Sequence, residues 1–131
     1  MGSQQLLLIV VGVVVIGIMV IIGIVMFSDH SAATSRDALA NDLVHAASKA
    51  QLYKRRPRIQ GGGGGSFVGF NLQTVFRTLT NANGTFSLNG SPTDSLIVIE
   101  GVGIQTGYDS VNPLKVSIDV YGERVEVKEV N

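Results

Sequence analysis

Leu6 to Phe27 is an unbroken, uncharged run of Leu, Ile, Val, Met and Phe with three glycines, and it starts almost at the amino terminus, behind Met1-Gly2-Ser3-Gln4-Gln5. As a helix it would be about 33 Å long, enough to cross a hydrocarbon core of about 30 Å. A water-soluble domain has no use for such a run, so it limits the fold more than any other feature. A cleavable secretory signal is one alternative. Ser31-Ala32-Ala33 resembles its cleavage site, but no Lys or Arg precedes the run. An ordinary single-pass anchor is the other, and only the residues beyond Phe27 can separate it from further uses.

No helix breaker occurs until Pro57. Ala38, Leu39, Leu43, Ala46, Ala47 and Ala50 recur at three- and four-residue intervals, which predicts one stripe of an amphipathic helix. Arg36, Asp37, Asn41, Asp42, Ser48, Lys49 and Gln51 are read as lying off that stripe. The stripe is narrow and alanine-rich, which suits close packing, and Leu39, Leu43, Ala46, Ala47 and Ala50 are expected to hold the helix to a head. A helix from about Ser3 to about Arg56 would be on the order of 80 Å long. It ends at Tyr53-Lys54-Arg55-Arg56-Pro57-Arg58: proline disfavours helix in the residue before it, and the cations complement the negative end of the helix dipole. A basic contact for an acidic neighbour or a DNA backbone is the lesser reading of those cations.

Gly61 to Gly65 has no adjacent lysine and lies after a helix, so it lacks the pattern of a phosphate-binding loop and reads as a flexible joint. Beyond it, Asn71 to Thr80 places Leu72, Val75, Phe76 and Leu79 on one helical face with Asn71 as cap, which predicts a short helix. Asn83-Gly84 and Asn89-Gly90 are turn dipeptides around the alternating Thr85 to Leu88. Ser95 to Val102 is a more apolar strand. Lys115 to Tyr121 alternates with Val116, Ile118 and Val120 on one side, Arg124 to Val130 does so with Val125 and Val127, and Gly122-Glu123 joins the two as a hairpin. The expected class is therefore α+β, with a long amino-terminal helix and a small antiparallel four-stranded sheet as the head. The divisions are an apolar then amphipathic helix over 1–57, a glycine-rich linker over 58–66 and a β-rich head with one short helix over 67–131.

No cysteine is present, which excludes disulfides and thiolate metal sites. His30 and His45 would lie over 20 Å apart on one straight helix, too far to share a metal. Glu123, Glu126 and Glu129 read as solvent-facing, not as a paired acid and base. Neither a catalytic constellation nor a cofactor or metal site is expected. The chain's zero net charge is unevenly spread: six Lys and Arg against three Asp through Gln60, then four cations against seven acids. Such a polarity suits head-to-tail association of like copies.

An apolar amino-terminal helix, its amphipathic continuation, a glycine-rich connection and a small antiparallel head resemble a type IV pilin or pilin-like filament subunit. In that family a peptidase cleaves after a glycine ahead of the apolar run, and Gly2, followed by Ser3-Gln4-Gln5-Leu6, occupies that place. Most bacterial members carry a glutamate where this chain has Leu7, so Gln4 and Gln5 are the nearest polar groups that could cap a neighbouring helix.

The resemblance implies a helical homopolymer whose core is bundled helices. The partners it implies are other copies of the chain, a membrane before assembly and assembly machinery, with nucleic acid the weaker option. Gln4, Gln5, Leu6, Gly12, Val14, Gly17, Gly23 and Phe27 would carry assembly. Gly12, Gly17 and Gly23 are five and six residues apart and share no face, so they form no GxxxG seam. With thirteen Ile and Val around them they weaken the helix, which is expected to stretch on entering a filament. The extracellular filament subunit is the leading expectation. A monomeric membrane-anchored binding module, or a minor pilin of a secretion system, is the alternative. Asn83-Gly84-Thr85 and Asn89-Gly90-Ser91 match the N-glycosylation pattern, a pattern also met by chance.

Overall fold

The structure, a computed structural model, describes residues 2–131; Met1 lies outside the described residues. One helix, α1 (Gly2–Arg55), is followed by strands β1 (Gly84–Leu88), β2 (Leu96–Thr106), β3 (Pro113–Tyr121) and β4 (Val125–Glu129). The strands form a four-stranded sheet in the order β1-β2-β3-β4, with every neighbouring pair antiparallel. The class is thus α+β. The chain divides into two compact units, Met1–Ser31 and Ala32–Asn131. That boundary falls inside α1, well before the glycine run.

In the second unit the alanine-rich stripe does what its spacing suggests. Leu39, Leu43, Ala46, Ala47 and Ala50 are fully buried in one core with Phe67, Phe86, Ile97, Ile99, Leu114, Val116, Ile118 and Val120. Side-chain size is matched across the contact. On the core face of β2, Ile97 and Ile99 give way to Gly101 and Gly103, and Leu39 fills the space: a Cβ on Gly103 would stand 2.9 Å from Leu39 Cδ1.

Three expectations need correction. Arg36, read as off the stripe, is only 6% exposed. It precedes Leu39 by three residues and Leu43 by seven, which is stripe spacing, and its charge masked that position.

The glycine run is not a free joint. Gly63 N–H donates to Tyr53 O at 2.8 Å, Gly64 N–H to Arg56 O at 3.0 Å and Gly65 N–H to Lys54 O at 2.7 Å. These bonds satisfy carbonyls that the end of α1 leaves without helical partners. Gly61, Gly64 and Gly65 have φ of 77°, 60° and 96°, the left-handed region used by helix caps.

The expected helix over 71–80 is a single 3₁₀ turn, Leu72–Thr74, capped by Asn71 Oδ1 accepting from Gln73 N–H. Thr74, Val75, Phe76, Thr78 and Thr80 are poor helix formers, and pairing with β1 competes for the rest: Phe86 N–H donates to Leu79 O and Thr80 bridges Thr85. Phe76 still reaches the core, stacked on Phe86 at 4.5 Å.

Val125 and Val127 pair with Val120 and Ile118 and so share the core-side face. They remain 37% and 46% exposed, because β4 is an edge strand.

Candidate functional site

In the first unit every large apolar residue from Leu6 to Phe27 is exposed, from 43% at Val15 to 75% at Phe27. Gln4 and Gln5 are exposed too. Gly12, Gly17 and Gly23 have open space where a Cβ would stand. The backbone is α-helical throughout, so its polar groups are satisfied within the helix and only apolar side chains face outward, as a lipid or apolar-protein environment requires. By length and composition, the helix can cross a membrane. Each such side chain gains about 1.5–3 kcal/mol from leaving water, which makes an uncovered state in water untenable.

The second unit carries its polar chemistry at the two ends of its α1 segment. At the Arg36 end, the guanidinium lies 3.8 Å from the Tyr108 ring centre and Nη2 donates to Asn131 O at 3.2 Å. Arg36 Nε is 3.8 Å from Glu129 Oε1, within ion-pair range but too far for a hydrogen bond, so this buried N–H has no hydrogen-bond partner. Tyr108 belongs to the turn between β2 and β3. There Asp109 accepts from Val111 N–H, Asn112 N–H and Asn112 Nδ2, and these bonds, the Asn112 side chain first, lower its pKa to about 2.

At the other end lies a cavity of about 460 Å³, lined by Lys49, Leu52 and Tyr53 of α1, by Arg56 just beyond its end and by Gly61, Gly69, Phe70, Asn71 and Thr74. Tyr53 sets its wall, packed edge-on against Phe70 and donating its hydroxyl to Val68 O. Lys54, one residue on, instead faces the Phe67 ring at 4.8 Å.

On the outer face of the sheet Lys128 pairs with Asp119, and this pairing raises the lysine pKa. Glu126 and Glu129 are likewise engaged, with Arg124 and Arg36. Asn83 Nδ2 donates to Asp42 Oδ2 at 2.7 Å, so its amide is occupied in holding the β1 turn to α1, whereas Asn89 is exposed and reaches Glu100 at 3.3 Å. His30 and His45 are exposed positions on α1. Among the described residues no group of three metal-ligating side chains occurs.

Sequence reasoning missed Arg36 and the cavity. Helical spacing could have found the first. The cavity depends on where the glycine run turns the chain, which no local pattern encodes. No protein family, curated protein or solved structure matches the chain.

Proposed function

We propose that the chain is the structural subunit of an extracellular pilus-like filament, held in a membrane through α1 before assembly and bundled through the same residues afterwards. The observation that carries this reading is the exposure of all large apolar residues from Leu6 to Phe27, set beside a second unit whose own core is complete. A simple anchor needs only the apolar run. An amphipathic helix continuing from it without a break, and sheathed by a small sheet along one stripe, suits a subunit that must present α1 to its neighbours. Gly2 is the candidate cleavage position, and Gln4 and Gln5 would cap neighbouring helices. Gly12, Gly17 and Gly23 would allow the helix to stretch on assembly.

The test is Val14→Asp. A carboxylate among packed apolar helices is costly to bury, so filaments should vanish while the second unit stays folded by circular dichroism. Normal filament yield from this variant would contradict the proposal.

A further inference from the structure

The second unit has a hollow at one end and a projecting turn at the other, and their chemistries match. The hollow is the cavity at Lys49 and Arg56. Both cations are exposed, neither makes an ion pair among the described residues, and no acidic side chain lines the cavity. Leu52, in the same wall, is 55% exposed. Two uncompensated cations above an apolar surface suit a carboxylate carried on an apolar body.

The projecting turn supplies that body. Gly107 N–H closes it on Asn112 O at 2.8 Å, and at its tip Tyr108 and Val111 are 75% and 79% exposed on either side of Asp109. The bonds from Val111 and Asn112 hold the Asp109 carboxylate in one orientation. Exposed aromatic and aliphatic side chains beside a fixed charge are the makings of a docking anchor.

One chain cannot join its own two features. Tyr108 stacks on Arg36, and the cavity residues lie at the far end of α1, Lys49 thirteen residues further along and Arg56 just past its last residue, about 20–30 Å away. We propose that the cavity of one copy receives the Tyr108-Asp109-Ser110-Val111 turn of the next copy, with Asp109 against Lys49 and Arg56 and the two apolar side chains against Leu52. Contact between unlike patches of identical chains propagates in one direction and builds an open polymer when the rotation does not close. The inference rests on the filament reading and deepens it: burial of Leu6 to Phe27 favours bundling, and this contact fixes direction and register.

The absence of cysteine makes the test clean. A full-length Leu52→Cys/Val111→Cys variant puts one thiol on α1, about 24 Å along the helix from Arg36, and the other in the turn whose Tyr108 stacks on Arg36, a separation too great for an internal disulfide. Mild oxidation of assembled material should give a ladder of covalent multimers, at least tenfold stronger than from Leu52→Cys/Ser87→Cys, whose second thiol sits on the outer face of β1. Adding Lys49→Glu and Arg56→Glu should remove the ladder; its persistence would overturn the ionic contact. Filaments without a ladder, or with a ladder no stronger than the control, overturn the inference and leave the filament reading standing. Neither filaments nor ladder in any variant overturns both.

Discussion

The Arg36 guanidinium lies 3.8 Å from the centre of the Tyr108 ring, which ties α1 to the turn between β2 and β3. The same side chain reaches Asn131 and Glu129, so one buried cation holds the turn and the last residues of the chain against α1. Its orphan Nε makes the arrangement costlier than the contacts alone suggest. Arg36→Ala, which loses stacking, hydrogen bond and stem packing together, should destabilise the second unit by about 1–3 kcal/mol. Arg36→Met keeps the stem packing and removes the orphan N–H, so it should cost less. Urea unfolding in detergent checks the order, and an Arg36→Met cost equal to that of alanine would contradict it.

The glycine run gives a sharper contrast. A Cβ on Gly63 would stand 1.8 Å from Ser66 O, against rigid backbone, whereas one on Gly61 meets nothing within 4 Å and only strains a φ of 77°. Gly63→Ala should therefore destabilise by about 3 kcal/mol or more and Gly61→Ala by about 1 kcal/mol. Thermal unfolding of the two variants reads this directly. Near-equal melting temperatures would restore the flexible-joint reading.

Leu39 and Gly103 should behave as a coupled pair. Leu39→Ala opens a cavity at about 2–5 kcal/mol, and Gly103→Ala overpacks against Leu39 Cδ1 at about 1–3 kcal/mol. In the double variant the new methyl group occupies space that Leu39 vacated. The double loss should fall short of the sum by at least about 0.5 kcal/mol in a double-mutant cycle; strict additivity would mean the two do not share that space.

Asp109 sets an acid response. Its folded pKa is lowered from 3.8 to about 2, so the stabilisation it gives the turn is fully present above the unfolded value and is lost as pH falls through the folded one. Between pH 4 and pH 2 the Asn112 side-chain amide resonances should shift as the carboxylate protonates, with a midpoint well below the ordinary value of 3.8. A midpoint near 4 would mean the turn does not hold the carboxylate as described. Lys128 runs the opposite way: its pKa is raised, so its contribution is present below the unfolded value and fades as alkaline pH passes the folded one.

How far sequence could see depended on whether a pattern was local. The extent of α1 and the alternation of β3 and β4 follow from periods of 3.6 and 2, whereas β2, expected over Ser95 to Val102 as an apolar run, continues to Thr106. Arg36 obeyed the helical period, but its residue type spoke against burial, and only the partners at Tyr108, Glu129 and Asn131, far along the chain, explain why it is inside. Five glycines have the same composition in a loose tether and in a tight cap; the difference lies in hydrogen bonds to Tyr53, Lys54 and Arg56. In the segment from Asn71 to Thr80 an apolar helical spacing lost to poor helix formers and to pairing with β1. The edge position of β4, which leaves Val125 and Val127 half-exposed, is a property of sheet order and not of the strand's own alternation.

The central claim is that Leu6 to Phe27 finds its final partners in other copies of this chain. Electron microscopy of material sheared from the surface of cells making the protein, with mass spectrometry of its amino terminus, tests that claim most directly. Thin, uniform filaments composed mainly of this chain are predicted, with an amino terminus at Ser3 where Gly2 is the cleavage position, and none from cells making Val14→Asp. An absence of filaments, with detergent extraction yielding a monodisperse monomer, would contradict it.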